Sequence, residues 1–420
     1  MQDLMTSNGV VAVVALVGLS LVAGSCGDSS EVASVLSTTT AVMMPTVVTP
    51  VAAPTTAVST TTVLPATVST TRAPTTTTKT ATTTLPLLPS AAECVSKLPV
   101  GLRVGQVMLP LATQAELPLV ADLVARGLVA GVVVVGALGD GFAVAMAAVQ
   151  AGSATGPVIV AVDEEGGRVQ RFESVLGSMP SAAEMAALPV DEVRSLAMVR
   201  AESLASLGVT MNLAPVLDVG AGPGIGDRSF SADPEVVSSH GIAFAEGLLA
   251  GGLIPVVKHF PGHGRANVDS HRELATTPPL DDLWDVDLLP FIVVPEGAAV
   301  MIGHLVVPGL TDGVPATLSP AAVTGLLRDD LGFQGVVVTD DLSMEAVSQL
   351  MDVPSAARLA LIAGADLLMV GSYKNVVPAA WSLIGALDDG SLDERWLNEA
   401  VERVLAMRGM DPCALVSSDD

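Results

Sequence analysis

The chain has 420 residues, of which 19 are basic and 44 acidic, for a formal charge of −25. That surplus repels phosphodiester backbones and excludes nucleic acid as a partner. Half the residues are apolar but only 3% are aromatic, and Ala, Val and 39 Gly make up the balance, a composition suited to an α/β protein with Val-rich buried strands.

Residues 10 to 24, VVAVVALVGLSLVAG, form an uncharged apolar run shorter than the roughly 20 residues of a membrane span, and they read as a signal-peptide core over residues 1–25. The run ends in AGSC, where small residues before Cys26 resemble a bacterial lipobox, so Cys26 is the expected lipidation site. The leader MQDLMTS carries Asp3 and no Lys or Arg, which keeps an uncleaved anchor open as the alternative. Residues 26–92 are Thr, Val, Ala and Pro with almost no charge, as in TTTTKTATTTLP. They cannot bury a core and are expected to be a disordered tether that spans roughly 45 Å as a coil and admits O-glycosylation. Lipidation of Cys26 would leave Cys94 and Cys413 to join the two ends of the folded domain, 93–413, as a disulfide, with 414–420 as a tail.

From residue 95 onward, short Val/Ile-rich runs alternate with Ala/Leu-rich helical stretches. Strands are expected at 106–111, 131–135, 157–162, 209–215, 254–259, 298–304, 335–340 and 366–370. Such an alternation predicts a single (β/α)8 barrel of the TIM type. A Gly-x-Gly-x-x-Gly turn after the first strand is absent, which argues against a dinucleotide-binding sheet. Asp163, Asn212, Lys258, His259, His304 and Asp340 fall at strand C-terminal ends, so the barrel would bring them to one rim.

Three segments on that rim carry chemistry. After the third strand, VDEEGGRVQRF offers Asp163 as an acceptor for sugar hydroxyls, and Arg168 and Arg171 as donors. The fifth strand delivers KHFPGHGRANVDSH, residues 258 to 271, which holds three of the chain's five histidines. One reading is a metal site from His259, His263, Asp269 and His271, although the usual metalloprotease spacings are missing. The other reading is carbohydrate chemistry: Lys258 and His259 bind hydroxyls, while Asp269 and His271, two apart on a loop, pair so that the carboxylate fixes the imidazole tautomer for proton transfer. The seventh strand ends in TDDLSM, where a carboxylate can attack an anomeric carbon. Chemistry alone leaves Asp340 and Asp341 interchangeable there, with a helix cap as the task of the other.

VDEEGGRVQRF, APVLDV, GDRSFSADP, KHFPGHG, DSH, GFQGVVVTDDLSM and AGADLLMVG, in this order between about residues 97 and 408, closely resemble family 3 glycoside hydrolases, specifically the bacterial β-N-acetylglucosaminidases of peptidoglycan turnover. The resemblance implies a retaining mechanism with Asp340 as nucleophile and His271, held by Asp269 on a mobile loop, as acid/base. It also implies that Asp163, Arg171, Arg228, Lys258 and His259 grip the N-acetylglucosamine ring. No cofactor and no metal are implied. The expected partner is a peptidoglycan fragment, and the expected setting is a monomer, lipid-anchored to the cell membrane and facing the wall. One departure is Arg272 directly after DSH, which alters the charge beside His271. The 420 residues include no second α/β sandwich domain of the kind found in many β-glucosidases of the family, which favours the hexosaminidase branch. The alternatives are a family 3 β-glycosidase of other sugar specificity, a phosphorylase, since an imidazole repels phosphate less than a carboxylate does, or a non-catalytic wall-binding lipoprotein.

Overall fold

The computed structural model of the chain describes residues 90–416. The expected signal peptide, Cys26 and nearly all of the tether lie outside these residues. Ten strands follow in chain order: β1 Met108–Thr113, β2 Gly131–Val135, β3 Ile159–Val162, β4 Met211–Asn212, β5 Ile254–Phe260, β6 Ala275–Thr276, β7 Ala299–Ile302, β8 Leu305–Val306, β9 Val337–Thr339 and β10 Leu368–Ser372. Eight of them make one parallel sheet in the order β10-β1-β2-β3-β4-β5-β7-β9. A parallel bridge from Val338 to Leu367 brings β9 against the start of β10 and closes the ring. This is the (β/α)8 barrel, and each expected strand overlaps one of its staves.

Strand side chains alternate between the two sides of the sheet, and in a barrel wrapped by helices both sides are buried. The sequence obeys this with unbroken apolar runs such as Gly131–Val135. Leu109, Val133, Ala161, Val256, Met301, Val338 and Met369 form the cluster inside the barrel. Their neighbours Met108, Val134, Val160, Val257, Val300, Val337 and Leu368 belong to the larger cluster between strands and helices. Val404 and Met407, on the helix Glu394–Met407, reach the interior cluster from the last helical turns.

The folded domain starts two residues before the expected boundary at 93, with the helix Ala91–Lys97, because Ser90 and Glu93 form a reciprocal cap that nucleates its first turn. It runs into the expected tail as the helix Pro412–Val416. Cys94 and Cys413 are disulfide-bonded across these two helices, with their Cα atoms 5.0 Å apart. The short β6–β8 pair was not foreseen, since two-residue strands have no period to read. It joins the loop after the DSH segment to the loop after β7. Among the described residues, no helix is long and apolar enough to cross a membrane.

Candidate active site

Strand alternation decides which residues at the rim face inward. Asp163 continues the inward row from Ala161, Lys258 continues from Val256, and Asp340 continues from Val336 and Val338. These three share a pocket of about 220 Å³ with Arg171, Arg228, His259, His271 and Asp341, floored by Leu111, Leu213, Met301 and Met369. Pairing between β5 and β7 shifts register between Val257 and Phe260, and both Lys258 and His259 reach the pocket. A roomier hollow of about 500 Å³ between the helices Val190–Ser206 and Pro234–Ala250 holds none of the expected residues.

One wall is a charge lattice. Lys258 Nζ donates to Asp163 Oδ1 at 2.8 Å and contacts Glu165 Oε1 at 2.7 Å. Arg171 Nη2 donates to Asp163 Oδ2 at 3.0 Å, and Arg228 grips Glu165 with Nε and Nη2, both at 2.8 Å. Two carboxylates thus serve three cations, which leaves positive donors available to a neutral sugar's oxygens. Burial pushes the Glu165 carboxyl up, but Lys258 and Arg228 overcome it and bring it down to about 2. The same contest leaves Asp163 below its usual value, with Lys258 and Arg171 outweighing burial. Burial would lower Lys258, yet Asp163 and Glu165 hold it above the ordinary lysine value. Glu165 stands in the VDEEGGRVQRF segment but had been assigned no role, since its partners Lys258 and Arg228 are remote in the chain.

The second wall is built from His259 and Asp218. Asp218 is fully buried, and its Oδ2 accepts a hydrogen bond from His259 Nδ1 at 2.7 Å, while Oδ1 accepts the backbone N–H groups of His259 at 3.2 Å and His263 at 2.6 Å. The ring is thereby oriented with Nε2 left for the pocket. Asp218 stands in the APVLDV motif but had been assigned no role. Against the cost of burial, His259 and then His263, through its ring and its backbone N–H, keep its carboxyl below the normal value.

Asp340 receives the Asp341 N–H at 2.8 Å. Burial raises its carboxyl, His304, His259 and that N–H outweigh it, and the net displacement is downward, so the group is an ionised carboxylate at neutral pH. Asp341 is the opposite case. Its carboxylate takes the Ser343 N–H and hydroxyl, both at 2.9 Å, and burial raises it.

Asp269 and His271 meet as their spacing implied. Asp269 Oδ1 accepts from His271 Nδ1 at 2.8 Å and from its backbone N–H at 3.0 Å. The His271 side chain is 57% exposed at the pocket mouth, while Asp269 stands behind it and does not line the pocket. Burial raises the Asp269 carboxyl, but the His271 hydrogen bonds outweigh it and set it below its usual value.

Several rim expectations are corrected. His304 is fully buried with both ring nitrogens engaged, one by Thr317 Oγ1 and one by the Asp341 carbonyl, each at 2.9 Å. It braces the chain under Asp340 rather than facing the pocket, and burial lowers its basicity. Asn212 turns to the backbone of Glu164, donating to its carbonyl at 2.9 Å and accepting its N–H at 3.0 Å. Arg168 points away to Asp227 and to the carbonyls of Gly224 and Ile225. The four residues of the metal reading do not converge: His259 serves Asp218, His263 Nε2 serves Ser270 Oγ at 2.9 Å, and His271 serves Asp269. No group of three or more His, Cys, Asp or Glu placed to hold a metal ion is found among the described residues.

Residues 103–407 match the family model described as the glycosyl hydrolase family 3 N terminal domain. The chain is 45% identical over 281 residues to the β-hexosaminidase LpqI of Mycobacterium tuberculosis, covering 64% of this chain and 72% of that protein. The solved structure of M. tuberculosis LpqI superposes with a TM-score of 0.72 at 40% identity, over 77% of this chain and 97% of that one. A glycoside hydrolase family 3 β-N-acetylglucosaminidase from Paenibacillus sp. superposes with a TM-score of 0.69 at 32% identity, over 76% and 63% respectively.

Proposed function

The chain belongs to glycosyl hydrolase family 3, and from that membership we propose how its pocket works as a retaining exo-β-N-acetylglucosaminidase on peptidoglycan fragments. It is a glycoside hydrolase of the β-N-acetylhexosaminidase type, acting on terminal N-acetylglucosamine. The observation that carries the mechanism is the inward row Val336, Val338, Asp340, which ends in an ionised carboxylate on a pocket shared with the exposed imidazole of His271.

In the first half-reaction Asp340 attacks the anomeric carbon, and a carbon–oxygen bond forms as the glycosidic bond breaks. His271, protonated and held by Asp269, gives its proton to the departing oxygen. In the second half, neutral His271 takes a proton from water, the water oxygen bonds to the anomeric carbon, and Asp340 is released. Asp163, Arg171, Arg228, Lys258 and His259 hold the ring, and Glu165 and Asp218 keep those cations and that imidazole in place. A pocket of about 220 Å³, below the roughly 300–1,000 Å³ of drug-sized sites, supports a single terminal sugar rather than an internal segment of a polymer.

We also place the enzyme outside the cytoplasmic membrane, anchored through Cys26. The AGSC segment supports this, as does the Cys94–Cys413 disulfide, which fits an oxidising compartment. Purified enzyme should release 4-nitrophenol from its β-N-acetylglucosaminide and GlcNAc from GlcNAc-MurNAc fragments. A faster β-glucosidase rate would contradict the sugar assignment. Rate acceleration by phosphate with a GlcNAc-1-phosphate product would make the enzyme a phosphorylase instead.

A further inference from the structure

The loop 220–226, GAGPGIG, runs between the sugar-gripping lattice and the Asp269–His271 pair, and Gly224 touches both. On one side its carbonyl accepts hydrogen bonds from Arg168 Nη2 at 3.1 Å and Arg228 Nη1 at 3.2 Å. Arg168 also donates to the Ile225 carbonyl at 3.0 Å and pairs with Asp227, which pins the loop from outside. Arg228 is the residue that clasps Glu165, and Glu165 contacts Lys258 in the pocket wall. On the other side, Gly224 abuts Asp269. A methyl group added at Gly224 would lie 2.7 Å from Asp269 Oδ1 and 2.9 Å from its carboxyl carbon, closer than such atoms tolerate. Gly224 also has φ of +83°, where a side chain is strained for an independent reason. The Gly222 N–H donates to the Gly264 carbonyl at 2.8 Å, a second tie between this loop and the segment bearing the acid/base pair.

We propose that Gly224, clamped by Arg168 and Arg228, is a positioning residue that sets where Asp269 rests and so aims the His271 proton at the glycosidic oxygen. The inference rests on the reading of His271 as acid/base. A side chain at 224 would enter the space that the Asp269 carboxylate occupies, so the bare glycine lets that carboxylate keep its place while it holds the imidazolium. Because the carbonyl of the same residue is held by Arg228, a shift in the sugar grip moves the backbone that abuts this carboxylate.

The test compares leaving groups, because a misaimed acid matters only where the departing oxygen needs a proton. Full-length Gly224→Ala, Arg168→Ala and His271→Ala proteins are assayed on GlcNAc-GlcNAc, a poor leaving group, and on 2,4-dinitrophenyl β-N-acetylglucosaminide, which departs unaided. Misplacement by about an ångström costs on the order of 100-fold, so kcat on the disaccharide should fall about 100-fold in Gly224→Ala. The dinitrophenyl glycosylation rate, read from the burst, should change less than threefold, with KM for the disaccharide within twofold of the native enzyme. Arg168→Ala should show the same split at about tenfold, and it decides the matter if the alanine at 224 does not fold. Equal losses on both substrates in a folded variant, or no loss on either, would overturn the proposal. If His271→Ala itself shows no split, the acid/base reading fails and this inference falls with it; a split in His271→Ala alone refutes only the role of Gly224.

Discussion

Replacing Asp218 by Asn tests whether the second wall works through His259 or only supports the loop behind it. Oδ1 of Asp218 accepts the two backbone N–H groups and Oδ2 accepts the hydrogen bond from the imidazole. An asparagine can therefore keep both backbone bonds with its carbonyl, but must point its NH2 at His259 Nδ1. Two donors then face each other in a site with no solvent, unless the ring gives up its Nδ1 proton and carries one at Nε2 instead. Losing one charge-assisted bond and leaving a buried donor unpaired costs about 1–3 kcal/mol. For a barrel of this size that is a fall in Tm of roughly 2–6 °C by calorimetry. The ring now presents the wrong tautomer or orientation to Asp340 and the sugar. Expressed in the transition state, the same energy lowers kcat/KM on the 4-nitrophenyl substrate by about 10- to 100-fold. A variant that melts earlier but keeps kcat/KM within twofold would show that Asp218 is only a structural brace, and the argument from tautomer to activity would be wrong.

The two adjacent aspartates should separate cleanly. Asp340→Asn removes the inward carboxylate and should lower kcat by about 1,000-fold or more, whereas Asp341→Asn keeps the Ser343 N–H on its amide oxygen and gives up only the charge-assisted bond from the Ser343 hydroxyl, a cost of about 0.5–1.5 kcal/mol, and should keep kcat within tenfold. Glu165 is depressed from 4.5 to about 2, so its ionised pairing contributes stability that is fully present above pH 4.5 and lost as pH falls through 2. Native protein should lose stability steeply across that window in urea titrations, and Glu165→Gln should flatten the slope there while being less stable at pH 7. The Cys94–Cys413 bridge closes a loop of 319 residues, for which the chain-entropy relation gives about 6 kcal/mol as an upper bound. A Cys94→Ser, Cys413→Ser protein should therefore melt several degrees lower, by differential scanning calorimetry, with unchanged KM.

The barrel was legible because parallel strands buried on both sides read as unbroken Val/Ile runs, and these recur along the chain with helical spacers. Asp269 and His271 were legible because two residues on one loop need no tertiary information to meet. The choice between Asp340 and Asp341 rested on family likeness, although strand parity held the answer: Val336 and Val338 point inward, and only Asp340 is in phase with them. His304 was misread because a histidine just past a strand end can turn under the rim as easily as over it, and the Thr317 partner that decides this is remote in the chain. Glu165 and Asp218 escaped notice for a related reason. Each acts on a residue far away in sequence, Lys258 for one and His259 for the other, and no local pattern announces a buried carboxylate that orients someone else's side chain. Arg168 is the converse, a cation beside the site whose partners lie on the loop outside it.

The central claim is a covalent intermediate on Asp340. A 5-fluorinated N-acetylglucosaminyl fluoride slows breakdown of such an intermediate, so intact-mass analysis should show one added sugar, and peptide mapping should find it on the Asp340 carboxyl in the segment GVVVTDDLSM. Protection by N-acetylglucosamine and loss of labelling in Asp340→Asn are expected alongside. A label on Asp341, or steady turnover of the reagent with no covalent adduct at any time, would contradict the account.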